Sequence, residues 1–98
     1  MIYISTGGFK DLLPEKSIKI LNKKNIDCIE LSGGQYSKKI SNNIIKNKNN
    51  IFAIHNYFPV PKKSFVLNLA SNNSQIYRKT LSNFKRSINL SNKLKSRY

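Results

Sequence analysis

Acidic residues are the scarcest chemistry in this sequence. Asp11, Glu15, Asp27 and Glu30 stand against 18 Lys+Arg, for a formal charge of +14. One cysteine, Cys28, excludes an internal disulfide and a cysteine-based zinc finger. The simple reading of Cys28 is a buried small hydrophobe. No apolar run approaches the roughly 18 residues that a membrane span needs, so no membrane partner is expected. No charged-then-apolar leader opens the chain, and the expected compartment is the cytoplasm. With 98 residues, residues 1–98 form one domain.

What is abundant is Lys, Asn, Ile and Ser, at 15, 14, 13 and 12 residues, whereas Arg occurs only three times. Lys, Asn and Ile are the products of AT-rich codons. Such a bias explains the basic charge at least as well as a polyanion partner does. Arginine, the better fork for phosphate, is not the favoured cation. A small basic nucleic-acid-binding module remains an alternative, with Lys38, Lys39, Lys46, Lys48, Lys85 and Arg86 meeting phosphates.

Three short, Ile-rich runs recur at nearly even spacing: Ile2–Ser5, Asp27–Leu31 and Ile51–His55. Each is followed by turn residues, as buried parallel strands are. Helical patterns fill the gaps. Pro14 suits the first turn of a helix running to Lys24, with Leu13, Ser17, Ile20 and Leu21 on one side. Tyr36, Ile40 and Ile44 recur every four residues within a helix over Ser37–Lys48. Asn72 with Gln75 resembles a capping box. Tyr77, Leu81, Phe84 and Ile88 then form an apolar stripe that Leu94 continues.

The order β-α-β-α-β-(loop)-α predicts a parallel α/β sheet. Its spacing fits the N-terminal part of a (β/α)8 TIM barrel, about three βα units. The partner expected on that reading is the remainder of the barrel. A small open three-stranded α/β domain is the alternative.

Alternation along the strands places Ile2, Ile4, Ile29, Leu31, Phe52 and Ile54 on an apolar face, expected to meet the helices. Tyr3, Ser5, Cys28, Glu30, Ala53 and His55 take the other face. Ser5, Glu30 and His55 are then expected to converge at the C-terminal mouth, where barrel enzymes build their sites. His55 is a candidate metal ligand; a structural histidine is the alternative. Glu30 is a candidate catalytic carboxylate, because an acid on an apolar strand is costly unless a cation or donors meet it; a local salt bridge is the alternative. Asn56 and Tyr57 follow at the strand end as candidate substrate-binding residues. Lys62 and Lys63, in a Pro-rich loop, can steer an anionic, phosphorylated ligand, or sit on a solvated surface. Gly7–Gly8 and Gly33–Gly34 lack a phosphate-loop fingerprint and read as turns.

The stretch Phe52–Ser71, with His55 followed by Phe65-Val66-Leu67-Asn68-Leu69-Ala70, resembles a segment of the xylose isomerase-like TIM-barrel superfamily. Asp27–Ser32 resembles the second strand of many isomerase members. That superfamily holds sugar-phosphate isomerases and epimerases and endonuclease IV-type apurinic endonucleases. The resemblance implies a metal-dependent isomerase or epimerase acting on a sugar or sugar phosphate, with an apurinic endonuclease as the alternative. It implies a divalent metal (zinc, manganese or magnesium), with His55 as the matching ligand. Further ligands in the family come from later strands. One His and one carboxylate cannot fill a zinc shell of three protein ligands, so the chain by itself is expected to be inactive.

Overall fold

The computed structural model describes residues 1–47 and 49–98. Three strands form one sheet in the order β1-β2-β3: β1 (Ile4–Ser5), β2 (Cys28–Leu31) and β3 (Ile51–Ile54). Both pairings are parallel. Ile4 faces Ile29, which faces Phe52; Ser5 faces Glu30, which faces Ala53. Two further bonds extend the β2–β3 ladder, from Ile51 N to Asp27 O at 2.9 Å and from His55 N to Leu31 O at 3.0 Å. The expected α/β class, strand order and direction are therefore present.

The helices are α1 (Pro14–Asn22), α2 (Ile40–Ile45) and α3 (Ser74–Leu94). Pro14 opens α1, where its missing N–H costs nothing. All three helices share one core with the apolar strand residues: Ile18 and Leu21 of α1, Ile40 and Ile44 of α2, and Leu90 of α3 pack with Ile29, Leu31 and Phe52. The helices therefore cover a single face of the sheet. Among the described residues, no helix is long and apolar enough to cross a membrane.

Several sequence expectations are corrected by this packing. On α1 the buried positions are Pro14, Ser17, Ile18 and Leu21, and Ile20 is exposed. Helix α2 is shorter than the Ser37–Lys48 span, because Asn47, Asn49 and Asn50 favour turn over helix; Lys48 lies outside the described residues. Ile2, before β1, and Ile4, within it, are exposed rather than packed against the helices. The cap of α3 is Asn73, not Asn72: its Oδ1 accepts from Gln75 N at 2.9 Å and Ile76 N at 3.2 Å.

The largest correction concerns the buried face of α3. Its buried residues are Thr80, Asn83, Ser87 and Leu90 rather than the apolar stripe. Tyr77 is exposed and Ile88 is 59% exposed. The reason is the irregular segment after β3, whose carbonyls need donors. Asn83 Nδ2 donates to Asn56 O at 2.9 Å, and the Ser87 hydroxyl reaches the carbonyls of Asn56 and Phe58. Phe84 and Ile88 of the apolar stripe face instead a groove of about 310 Å³ beside β3, which Ile54 and Tyr98 also line.

Past α3, Lys95 takes a left-handed conformation with φ 51° and ends the helix. The chain then returns to β3. Ser96 Oγ donates to Phe52 O at 2.8 Å, and Ile54 N donates to Tyr98 O at 2.9 Å. Residues 96–98 thus run beside β3 in its own direction.

Candidate functional site

The face of the sheet opposite the helices carries the candidate chemistry. Ser5, Glu30 and Ala53 form one row across the three strands. Ser32 and His55 lie two residues further along β2 and β3, so alternation returns them to the same face. Alternation extended past β3 puts His55 on the side of Glu30, but neither His55 nor Ser5 is among the residues that line the hollow around Glu30. Glu30 is half-buried and His55 is exposed.

Tyr3 and Tyr98 roof part of this face, with ring centroids 6.1 Å apart and planes at 85°. Together with Met1, Glu30 and Ala53 they line a hollow of about 390 Å³. Ala53 has the small side chain that leaves room beneath the rings. The Tyr3 hydroxyl is buried and, among the described residues, has no partner. The hollow thus offers a polar ligand a carboxylate and an unpartnered phenol. Neither tyrosine was singled out from the sequence. Tyr3 was legible only as a member of the mixed face, and Tyr98 only as the last residue.

The loops after β1 and β2 are locked together. Ser5 and Ser32 hydroxyls hydrogen-bond each other. Buried Thr6 accepts from Ser32 N at 3.0 Å and Gly33 N at 3.3 Å. Gly34 has φ +118°, and a Cβ there would sit 2.9 Å from Leu12 O and from Pro14. Gly7, Gly33 and Gly34 serve close packing of this region, whereas a Cβ on Gly8 would meet nothing within 4 Å. Ser5 is accordingly part of this lock as well as of the candidate face.

His55 Nδ1 accepts from Tyr57 N at 3.3 Å. A neutral ring arranged this way keeps its proton on Nε2, which presents a donor rather than a lone pair. A metal at Nε2 would need the other tautomer and the loss of that bond. Among the described residues no group of three His, Cys, Asp or Glu could hold a metal ion. The residues present do not make a complete divalent-metal shell.

The remaining candidates lie elsewhere. The Asn56 carbonyl is taken up by α3, and Tyr57 Oη accepts from Phe65 N at 3.0 Å, which pins the following loop. Lys62 and Lys63 line a separate cleft with Arg78, Lys79 and Arg86 of α3, away from Glu30 and His55. Of the lysines assigned to a nucleic-acid surface, Lys46 lines a recess beside Glu15, and Lys38, Lys39 and Lys85 are exposed. Cys28 is a half-buried free thiol.

Comparison with protein-family models, curated proteins and solved structures finds no match to this chain.

Proposed function

We propose that this chain forms three βα units of a sugar phosphate isomerase/epimerase-like (β/α)8 barrel, with its ligand on the sheet face that bears Glu30 and His55. One observation carries the reading: three sequential parallel strands have all their helices on one side. A doubly wound sheet places helices on both faces. A singly wound sheet, as in a barrel, leaves a face free to line an interior. The parallel course of residues 96–98 along β3 supports that edge as one that accepts a parallel neighbour.

In this reading Glu30 is the carboxylate that moves a proton between sugar carbons. His55 meets a sugar oxygen through Nε2–H, and the Tyr3 hydroxyl supplies a further polar contact. A divalent ion at His55, which the superfamily resemblance implies, would require ligands beyond those present, so no step is drawn through it. Both residues rest on strand ends held by the Ser5–Ser32 and His55–Leu31 bonds, and a rigid base is what positions such a site.

The test is a titration of the isotopically labelled chain with fructose 6-phosphate, followed by amide shifts. The expected response is at Ser5, Glu30, Ala53 and His55, with Glu30→Gln and His55→Ala each reducing it. Shifts confined to the Lys62–Arg86 cleft, with that face silent, would overturn the assignment. A response only to a duplex bearing an abasic site would favour the endonuclease alternative.

A further inference from the structure

We infer that the cleft between the Pro61–Phe65 segment and the N-terminal half of α3 binds a small ligand carrying two or more phosphate groups. This site is separate from the Glu30–His55 face and does not depend on the reading of that face.

Five cations from two segments line a cleft of about 550 Å³: Lys62 and Lys63 from the loop, and Arg78, Lys79 and Arg86 from α3. The helical members follow the helix period. Arg78 and Arg86 stand eight residues apart with Ser82 midway, and Lys79 stands four before Asn83, so they share one side of α3. No acidic side chain follows Glu30 in the sequence. Among the residues that line the cleft there is no carboxylate.

The choice of cation is informative. The chain has three arginines among 18 cations, and two of the three, Arg78 and Arg86, are in this cleft. A bias toward AT-rich codons supplies lysine and does not account for this placement. The guanidinium fork matches phosphate oxygens two at a time.

A second observation is independent of charge. Asn83 also lines the cleft and is only 3% exposed. Its Nδ2 is bonded to Asn56 O, but its Oδ1 is buried and, among the described residues, has no partner. A phosphate oxygen cannot serve it, so only a hydroxyl or amino group elsewhere on the ligand would meet it.

The site is also held in place. Phe65 N donates to Tyr57 Oη at 3.0 Å, and the two rings pack with centroids 6.1 Å apart. The loop that carries Lys62 and Lys63 is thereby tied at its far end, which reduces the ordering cost of binding. The volume falls within the range of roughly 300–1,000 Å³ typical of small-ligand sites. One phosphate brings about −1.5 to −2 charges and leaves most of five cations uncompensated. A di- or triphosphate comes closer to balance.

The test is calorimetric titration of the chain with inorganic tripolyphosphate at low salt. Binding at one site per chain is expected. The double variant Arg78→Gln/Arg86→Gln should weaken it by about tenfold or more, the factor given by losing a charge-assisted hydrogen bond. The control Lys16→Gln/Lys24→Gln, with the same change in net charge on exposed positions of the α1 region, should weaken it less than about twofold, as a screened distant charge would. Far-UV circular dichroism reports whether the variants fold. If the arginine variant does not, Lys62→Gln/Lys63→Gln gives the same readout from the loop. Absence of binding, or equal losses in both double variants, would overturn the proposal. So would an oligothymidylate that binds the cleft more tightly than tripolyphosphate.

Discussion

Leu31 and Glu30 are adjacent on β2 and should respond oppositely to substitution. Leu31 is 0% exposed and sits in the core with Ile18, Ile29, Ile44 and Phe52. Leu31→Ala removes three buried carbons and leaves a cavity walled by a sheet and two helices, which cannot collapse far. The expected cost is about 2–5 kcal/mol. A domain of this size holds only about 5–15 kcal/mol in total, so a large share of its stability is lost. The corresponding fall in Tm exceeds about 10 °C. Glu30 faces the other way and is half-buried. Glu30→Gln preserves its shape and should change stability by no more than about 0.5 kcal/mol. The chain has no tryptophan, so urea unfolding is best followed by far-UV circular dichroism. A Leu31→Ala cost below about 1 kcal/mol, or a Glu30→Gln cost that exceeds it, would refute the assignment of helices to the Leu31 face.

Three further outcomes follow from local geometry. Gly34→Ala must adopt φ +118° and place a Cβ 2.9 Å from Leu12 O; a loss of about 1–3 kcal/mol is expected in thermal melts. Asn73→Ala should cost about 1 kcal/mol by removing the cap of α3, while Asn72→Ala stays within about 0.5 kcal/mol. The same melts check this, and equal effects would contradict the cap assignment. Ser87→Ala strands the Phe58 carbonyl, whereas the Asn56 carbonyl keeps its bond from Asn83 Nδ2. A cost of about 1–3 kcal/mol and faster amide exchange at Tyr57 and Phe58 are expected.

The fold was legible wherever one physical signal dominated. Parallel strands buried on one face read as Ile-rich runs, and Ile29, Leu31 and Phe52 lie where alternation puts them. Pro14 marked the start of α1 because only a helix start tolerates it. The reading failed on α3, where two demands competed. Hydrophobic period selected Tyr77, Leu81, Phe84 and Ile88. The carbonyls of Asn56 and Phe58 selected Asn83 and Ser87, and those partners lie nearly thirty residues away, beyond any local pattern.

The candidate site was legible in part for the same reason. Glu30 lies on the sheet face opposite the buried Ile29 and Leu31 because strand alternation is a local rule, while His55 falls one residue past β3 and outside the hollow at Glu30. The Tyr3–Tyr98 roof depends on a chain return that periodicity does not encode. The cationic cleft joins a loop to a helix, and only half of it was visible as Lys62-Lys63. The Arg78–Arg86 spacing was present in the sequence, but overall basicity masked it.

A nuclear Overhauser spectrum of the labelled chain tests whether the parallel sheet carries its helices on one face. The account predicts parallel cross-strand contacts linking Ser5 to Glu30 and Glu30 to Ala53, with α1, α2 and α3 touching Ile29, Leu31 and Phe52. Contacts from any of those helices to Cys28 or Glu30, or an antiparallel pattern between β2 and β3, would contradict it.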